Sequence, residues 1–295
     1  MTNSTPRLNI GLPVYNGEKY IEETLISLQK QTFQDYKLII SDNASTDRTE
    51  DICRAYASRD NRICYFRNEK NIGATQNWYR VFDLSSSEYF ASVAHDDLYD
   101  PEYMRSCIEV LDRDPSTILC YSKTGVIDET GNLVGKYDVE VDTSSADPGQ
   151  RLYNVIAIDL LCIQLYGVMR SNALRATKMF SGYYGCDRNT LFELCLLGKL
   201  VELPEQLFHH RLYQGALGIA MNSGRSLDEL LLLDPGTDWR YRSTAFTIYL
   251  NYFTSISRLI KSPGEQMRCY SQLVRVVCNK FGSRLNRLVQ KSRNQ

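Results

Sequence analysis

Short apolar runs and stretches of helical periodicity alternate along the first third of the chain. The apolar runs favour strands at residues 8–13, 36–41, 63–66 and 89–93. Apolar side chains at helical spacing favour helices around residues 21–28, 52–56, 73–82 and 101–111. Strands that alternate with helices in this way form parallel sheets through right-handed crossovers, with helices on both faces. The pattern therefore predicts an α/β fold.

Polar side chains stand directly after three of the predicted strands. Tyr15 follows the first strand, Asp42 ends the second, and Asp96 and Asp97 follow the fourth. Ligands of open α/β sheets bind beyond the carboxyl ends of the strands, which meet at one edge. Two adjacent carboxylates repel each other unless a cation compensates their charge. The sequence therefore predicts a ligand site at this edge, with a cation near the carboxylates.

The periodicity loosens after residue 111 and becomes mainly helical again after residue 227. Between these points we expect an extended segment at 119–127, helices at 152–163 and 186–197, and a short strand at 200–203. Ser45 or Thr46 is a candidate cap for the helix that follows them. We expect one large domain at residues 1–233, with halves at about 8–112 and 113–233, and a helical extension at 234–295.

Charge is balanced overall but unevenly distributed. Lys and Arg number 34 and Asp and Glu number 35, which gives a formal net charge of −1. This balance argues against sequence-independent nucleic-acid binding, which needs a strong positive field. Residues 256–295, however, carry nine basic side chains and one acidic side chain. The extension is therefore basic and the rest of the chain is acidic.

An apolar stripe at helical spacing runs through the basic extension. Its members are Leu273, Val277, Phe281, Leu285 and Leu288. Such a helix could make a peripheral contact with the anionic inner face of a membrane. It could equally pack its stripe on the larger domain and leave a solvated basic face. We favour packing, because amphipathicity alone does not indicate a membrane.

Cysteine usage and the distribution of apolar residues indicate a cytoplasmic location. The nine cysteines contain no C-x-x-C pair and several lie in apolar runs, as expected for reduced, buried thiols. We find no apolar signal-peptide core near residue 1 and no apolar run of about 18 residues that would suggest a membrane span. We therefore expect a cytoplasmic protein, peripheral at the inner membrane face if the extension binds lipid.

Five short motifs follow one another at the predicted strand and helix ends. They are IGLPVYNG at 10–17, LISLQKQ at 25–31, IISDNASTD at 39–47, NIG at 71–73 and HDD at 95–97. Over roughly residues 8–218 the chain thus resembles family 2 glycosyltransferases with a GT-A fold. The resemblance implies a Rossmann-like mixed, mostly parallel sheet flanked by helices, here with a helical C-terminal extension.

The same resemblance implies an enzyme of polysaccharide biosynthesis. It would move a sugar from a UDP- or dTDP-sugar, with inversion, to a saccharide or lipid-linked saccharide acceptor. Asp42 matches the carboxylate that holds the uracil or thymine base, and Pro13 and Tyr15 match a turn that packs on the nucleoside. Asn71 lies in the family's third nucleotide-contacting segment.

The resemblance also places metal and diphosphate contacts. Asp96 matches the last residue of the metal-binding Asp-x-Asp motif, and Asp97 follows it near the donor sugar. His210 and Arg211 occupy positions where a basic group of relatives reaches the diphosphate. The implied cofactor is Mn²⁺ or Mg²⁺, since hard cations prefer oxygen ligands and neutralise a diphosphate leaving group.

Asp187 matches the family's general base, which takes the proton of the acceptor hydroxyl. It lies in the first turn of the helix predicted at 186–197, and we expect the helix N-terminus to keep it ionised. Tyr183 and Tyr184, just before it, are candidates for acceptor contacts because sugars bind well on aromatic faces.

Two carboxylates of the family pattern are replaced in this chain. Ala94 stands where the first acid of the metal motif usually lies, and Cys186 stands where a Glu usually precedes the base. His95 is either a replacement metal ligand or a hydrogen-bonding neighbour of the site. The replacements leave open a second hypothesis, a nucleotide-sugar-binding scaffold or regulator without catalysis. A nucleotidyltransferase is disfavoured, because residues 13–19 contain only Gly17 where a glycine-rich phosphate loop is needed.

Overall fold

The computed structural model of the protein describes residues 5–158, 160–179, 186–213 and 245–293. The strands in these ranges are β1 (Leu8–Val14), β2 (Tyr36–Asp42), β3 (Ile63–Arg67), β4 (Tyr89–Ser92), β5 (Leu98–Tyr99), β6 (Thr117–Ile127), β7 (Leu133–Tyr137), β8 (Val168–Arg170) and β9 (Lys199–Arg211). The helices are α1 (Ile21–Gln29), α2 (Thr49–Arg59), α3 (Ala74–Asp83), α4 (Tyr103–Arg113), α5 (Pro148–Ala157), α6 (Ser171–Ala176), α7 (Cys186–Leu197), α8 (Ala245–Leu259) and α9 (Pro263–Arg293), with a 3₁₀ turn at Ile163–Tyr166.

The described strands form one mixed sheet in the order β3-β2-β1-β4-β8-β6-β9-β5, and β7 pairs with β6 beside this path. The four strands that precede β8 in this order, β3, β2, β1 and β4, are parallel to one another. Strand β8 is antiparallel to both β4 and β6, and β6 is parallel to β9. Strand β9 therefore runs in the same direction as β1–β4, and its last residue, Arg211, arrives at their carboxyl edge.

Successive side chains of the central strands point to opposite faces of the sheet and enter two separate cores. In β2, Leu38 and Ile40 pack with Leu8 and Ile10 of β1, whereas Ile39 packs on the other face. Both cores are closed by helices: α1 and α4 contribute buried residues to one, and α3, α5 and α7 to the other. The predicted α/β class and its helix-covered sheet are confirmed.

The structure corrects two local predictions about the first and middle parts of the chain. Neither Ser45 nor Thr46 caps α2, which begins at Thr49; instead Asp47 Oδ1 accepts the Thr49 N–H at 3.0 Å. The helix predicted at 152–163 begins at Pro148 and ends at Ala157. Its apolar pattern continues beyond that end because Cys162 and the following 3₁₀ turn are also buried.

The short strand predicted at 200–203 is in fact the long strand β9, which extends to Arg211. The cause of the wrong prediction is Pro204, which lacks an N–H and normally ends a strand. Here the register shifts around it: Leu203 lies opposite Ser122, and Gln206 lies opposite the next residue, Lys123. A bulge thus absorbs the proline, and the strand carries His210 and Arg211 to the carboxyl edge.

The basic C-terminal helices pack on the sheet domain. Leu273 and Val276 of α9 are buried in the same core as α5 and α7, and Val277 packs against it. Helix α9 also approaches α5 closely, since a Cβ on Gly149 would lie 3.2 Å from the Arg268 carbonyl carbon. Packing is therefore the observed state of this part of the apolar stripe. The proposed boundary at residues 233 and 234 lies outside the described residues, and no described helix is long and apolar enough to cross a membrane.

Candidate active site

The loops that follow β1 and β2 are joined by hydrogen bonds at the carboxyl edge. The Asn43 N–H donates to the Val14 carbonyl at 2.8 Å, and the Asn16 N–H donates to Ser45 Oγ at 2.9 Å. In return, Asn16 Oδ1 accepts the Thr46 N–H at 2.8 Å. Asn16 and Ala44 both adopt left-handed backbone angles, with φ of 52° and 61°. Such angles persist only where the surroundings hold them, so this double loop is a rigid feature of the edge.

Asp42 lies fully buried beneath that double loop. Its Oδ2 accepts the Tyr65 hydroxyl and the Arg67 guanidinium, both at 2.6 Å, and its Oδ1 accepts the Ser45 N–H at 2.8 Å. Burial raises the pKa of Tyr65, and its hydrogen bond to Asp42 raises it further. The Asp42 carboxyl group is thus held in place by a guanidinium, a phenol and a backbone amide. Its predicted contact with a nucleobase remains a prediction.

A network of asparagines fixes the third segment of the edge. Asn43 Oδ1 accepts the Asn68 amide and the Ile72 N–H, both at 2.9 Å, and Asn43 Nδ2 donates to Asn71 Oδ1 at 2.8 Å. Asn68 also donates to Asn77 Oδ1 at 3.0 Å. Only Asn71 was predicted from the sequence. The others were missed because buried amides carry no periodic signal; the frequency of Asn in this region was the sole clue.

The predicted nucleoside-packing residues differ in exposure. Pro13 is half-buried, and Tyr15 is 44% exposed beside the rigid double loop. An exposed aromatic ring on a rigid turn provides a flat apolar surface at low conformational cost. Tyr15 is therefore well placed for a planar ligand at this edge.

Asp97 is a fully buried carboxylate at the end of the loop after β4. Its Oδ1 accepts the Arg211 N–H at 3.0 Å and lies 3.0 Å from His210 Nδ1, while its Oδ2 is buried without a hydrogen-bond partner. Burial raises the pKa of Asp97, although the His210 contact opposes this. Burial also lowers the pKa of His210, but the hydrogen bond and the negative charge of Asp97 outweigh it and raise that pKa. The pair thus favours a cationic imidazole at the edge of the sheet.

The Arg211 side chain is fully buried and lies beneath the edge rather than on it. Its guanidinium contacts Glu23 Oε2 (2.7 Å), the carbonyl oxygens of Asp96 (2.8 Å), Asp128 (3.3 Å) and Glu129 (3.2 Å), and the face of the Tyr20 ring (4.5 Å to the centroid). A guanidinium so enclosed by acceptors has its donors occupied. We therefore interpret Arg211 as the residue that positions the Asp96 loop, in place of the diphosphate contact predicted for it.

Asp96 is the half-buried carboxylate that remains at the edge. Its Oδ2 accepts the Tyr213 hydroxyl at 2.9 Å. The His95 ring lies beside Gly17, where a Cβ would stand 2.7 Å from His95 Cδ2. Within the described ranges, no group of three or more His, Cys, Asp or Glu side chains converges as a metal site. Asp96 alone suits a Mg²⁺- or Mn²⁺-type ion that takes most of its oxygen ligands from a phosphate group and water.

Asp187 lies in the first turn of α7, as predicted. Burial raises its pKa, while the Arg188 N–H at 2.8 Å, the Arg188 charge and the Cys162 thiol lower it. We expected the helix N-terminus to keep this carboxyl group ionised. Desolvation, however, outweighs the neighbours that favour the charged form, so the pKa of Asp187 is raised. Cys162 itself is buried and left-handed, with φ of 57°. That strained residue, which the sequence did not suggest, brings its thiol to the carboxylate.

Tyr166 is a further residue that the sequence analysis missed. Burial raises the pKa of this phenol, and the negative charges of Asp97, Asp96 and Asp187 raise it further. Helix α7, which begins with Asp187, contacts the 3₁₀ turn that carries this phenol. Its ring also packs on Phe208 of β9, with centroids 5.6 Å apart.

The predicted acceptor contacts Tyr183 and Tyr184 lie outside the described residues, as does the whole segment between 179 and 186. The site that the structure brings together therefore consists of two parts. One part is the double loop with Tyr15, Asp42 and Asn71, and the other comprises Asp96 and Asp97 in the loop after β4 together with Asp187 at the start of α7.

Comparison with known proteins agrees with this geometry. A family model described as "Glycosyl transferase family 2" matches residues 10–182, more than half of the chain. A putative teichuronic acid biosynthesis glycosyltransferase of Bacillus subtilis is 32% identical over 111 residues, which cover 38% of this chain and 44% of the relative. The chain spans less than half of the length of several curated relatives that it matches.

Two solved structures share the fold. TarS 1-349 of S. aureus in complex with UDP-GlcNAc superposes with a TM-score of 0.64 at 15% identity, covering 90% of this chain and 71% of that chain. The mannosyltransferase PcManGT of Pyrobaculum calidifontis, in complex with GDP-Man and Mn2+, superposes with a TM-score of 0.53 at 11% identity, covering 95% and 88%. At these identities the likeness concerns the fold, and it confirms the predicted GT-A architecture with its C-terminal helices.

We expect Arg211→Met to destabilise the protein by about 2 kcal/mol or more, since it leaves three part-buried carbonyls and Glu23 without their donor. The matched control is Arg54→Met, which removes a 60% exposed guanidinium from its ion pair with Glu50 and should cost less than about 1 kcal/mol. Urea unfolding measures both. A variant of unchanged stability that loses only nucleotide affinity would contradict the positioning role and restore the diphosphate contact.

Proposed function

Because the chain belongs to glycosyl transferase family 2, we propose that it transfers a sugar from a nucleotide diphosphate sugar to a saccharide acceptor with inversion of configuration. The observation that carries this proposal is the placement of Asp96 and Asp97 in the loop after β4, at the carboxyl edge of the sheet, with α7 and its Asp187 in contact with the 3₁₀ turn that ends at Tyr166. The rigid double loop after β1 and β2 lies at the same edge. Departure of the nucleoside diphosphate and deprotonation of the acceptor can therefore take place at one site.

The nucleoside half of the donor is assigned to the double loop. The exposed ring of Tyr15 and the half-buried Pro13 provide an apolar surface for the base and ribose. Asp42 and Asn71 are proposed to recognise the edge of a uracil or thymine base, directly or through the loop that they hold. The UDP-GlcNAc complex of the similar TarS fold supports a UDP-sugar as the donor.

The diphosphate is assigned to the region of Asp96 and His210. A bound Mn²⁺ or Mg²⁺ would neutralise charge on the departing nucleoside diphosphate. Asp96 is the side chain proposed to hold it, with His95 as a second candidate ligand, and the Mn2+ complex of the similar PcManGT fold supports this chemistry. His210 adds a positive charge nearby, because the Asp97 carboxylate favours its protonated form. Asp97 in turn is proposed to orient His210 and the donor sugar rather than to bind the ion.

Asp187 is proposed as the general base for the acceptor hydroxyl. Burial raises the pKa of its carboxyl, and a carboxylate with a raised pKa accepts a proton more readily during attack. The Cys162 thiol and the Arg188 N–H fix its direction. Because this base stands on α7, away from the double loop, it can act on the face of the sugar opposite to the leaving diphosphate, as inversion requires.

The acceptor is proposed to be a growing saccharide, free or lipid-linked, of a surface polysaccharide. The name of the similar Bacillus subtilis protein, which refers to teichuronic acid biosynthesis, supports this class. Tyr183 and Tyr184 keep their proposed acceptor role. A peripheral membrane contact through α8 and α9 also remains part of the proposal, and the exposed side chains of Leu250, Phe253 and Met267 support it.

We expect Asp187→Asn to lower the rate of sugar transfer about 100-fold or more, because the amide cannot accept the proton of the hydroxyl. Affinity for the nucleotide sugar should stay within about twofold, since the base does not contact the nucleotide. A screen of nucleotide sugars by thermal shift identifies the donor, and release of nucleoside diphosphate then measures the rate. Asp83→Asn, on an exposed carboxylate of α3, serves as the matched control.

The outcome also decides between an enzyme and a scaffold. If the wild-type protein binds a nucleotide sugar but releases no more nucleoside diphosphate than Asp187→Asn with any acceptor, the chain is a nucleotide-sugar-binding scaffold. The replacements Ala94 and Cys186 would then mark a lost activity.

The acid limb of the pH–rate profile should report Asp187. A base must be deprotonated, so kcat rises with pH through a pKa above the ordinary aspartate value of 3.8. Since the Arg188 charge lowers that pKa, Arg188→Met should move the limb to higher pH. Kinetics of both proteins between about pH 4 and pH 8 measure the shift. A limb that stays in place after this substitution would assign the titration to another group.

We expect Asp96→Asn to weaken nucleoside diphosphate binding about 10- to 100-fold in the presence of Mn²⁺, the range typical of damaged metal sites. In the presence of a chelator the variant and the wild-type protein should bind equally, because the substitution then removes no ligand. Calorimetry with UDP measures both states, with Asp83→Asn as control. Equal affinity of variant and wild type in Mn²⁺ would exclude Asp96 as the metal ligand.

A further inference from the structure

Helix α7 carries a second acidic residue, Glu193, which is fully buried six residues after Asp187. Its Oε2 accepts the Lys178 N–H, and its Oε1 accepts the Ser255 hydroxyl and the Arg258 guanidinium, the latter at 2.7 Å. A carboxylate without water is stable only with such partners. The proposed reaction gives this buried charge no role.

The three partners of Glu193 join separate parts of the fold. Ser255 and Arg258 belong to α8, in the C-terminal pair of helices, and Lys178 lies just after α6. An apolar contact lies beside these bonds: the ring of Phe192 on α7 stacks on that of Tyr252 on α8, with centroids 4.1 Å apart. Glu193 thus stands at the centre of the contact between α7 and α8.

The chain around Lys178 is held from several directions at once. Its carbonyl accepts the Tyr79 hydroxyl of α3 at 2.7 Å, while its N–H donates to Glu193. Arg258 also donates to the Ala176 carbonyl. The next residue, Met179, is left-handed with φ of 48°. This backbone conformation is unfavourable for residues other than glycine, so the surrounding hydrogen bonds must impose it.

A buried ion pair of this kind is a poor source of stability. Replacing both partners by apolar side chains often leaves stability unchanged or raised, whereas removing one partner is costly. Instead, the ion pair restricts the orientation of α7, because the bonds from Glu193 to α8 and to Lys178 can all form in one orientation of that helix only. The same helix carries Asp187 in its first turn.

We propose that Glu193 is a positioning residue for the general base: its bonds to Arg258, Ser255 and the Lys178 N–H fix the orientation of α7 and so the place of Asp187 in the first turn of that helix. This inference rests on the proposed function for the role of Asp187. It also gives the C-terminal helices a part in the reaction, because α8 supplies two of the three bonds. Removing the carboxylate charge should disturb the base and leave the nucleotide loops in place.

The first experiment compares Glu193→Gln, the double variant Glu193→Gln/Arg258→Met, and the control Glu109→Gln on the exposed face of α4. In Glu193→Gln we expect kcat to fall about 10- to 100-fold, with the affinity for the nucleotide sugar unchanged within about twofold. The double variant removes the unpaired charge and should recover thermal stability, but kcat should stay low. Recovery of kcat together with stability would show that Glu193 has a merely structural role and overturn the proposal.

The second experiment does not depend on activity. Hydrogen exchange of the amides at 176–179 and 186–193 should be about tenfold faster or more in Glu193→Gln, while exchange at 42–49 stays as in the wild-type protein. Unchanged exchange at both of the first two segments would overturn the proposal even in an active enzyme. If the wild-type protein transfers no sugar, the function proposed for Asp187 fails. Faster exchange confined to the segments 176–179 and 186–193 would still show that the bonds of Glu193 hold α7 and the residues around Lys178.

Discussion

The buried guanidinium of Arg211 determines where the reactive edge of this protein lies. An arginine without water needs an acceptor for each donor, and here they come from Glu23 on α1 and from the carbonyls of Asp96, Asp128 and Glu129. Glu23 lies on a helix, whereas the three carbonyls belong to the loops that follow β4 and β6. Because satisfying the guanidinium requires all of them at once, the loop that carries Asp96 and Asp97 has one position relative to β9.

The structure surrounds the carboxylates of Asp96, Asp97 and Asp187 with different neighbours. Asp97 is paired with His210, Asp96 accepts a phenol, and Asp187 is held by a thiol and a backbone amide. Like charges at close range repel, so different neighbours are what allow them to coexist. These different environments suit the three carboxylates to distinct chemical roles. One is paired with a histidine, one is open to a cation, and one is desolvated.

Much of this arrangement could be predicted from local sequence pattern. The alternation of strands and helices, and the rule that parallel strands end at one edge, located Tyr15, Asp42, Asp96 and Asp97 correctly. Local pattern could not identify partners far away in the chain, and Arg211 and Glu23 are 188 residues apart. It also ended the strand at residue 203, so it did not show that β9 carries Arg211 to the carboxyl edge. Cys162 was predicted inside a helix that in fact ends at Ala157, so its left-handed conformation could not be read from the pattern.

Backbone strain shows how far the support of the site extends. The described non-glycine residues with positive φ are Asn16, Ala44, Cys162 and Met179. The first two lie in the double loop, the third contacts Asp187, and the fourth follows the Lys178 amide that Glu193 accepts. Each conformation costs about 1–3 kcal/mol and persists only where its surroundings impose it. At Met179 the surroundings include α8. The C-terminal helices, which are basic whereas the rest of the chain is acidic, therefore help to hold the residues around Lys178.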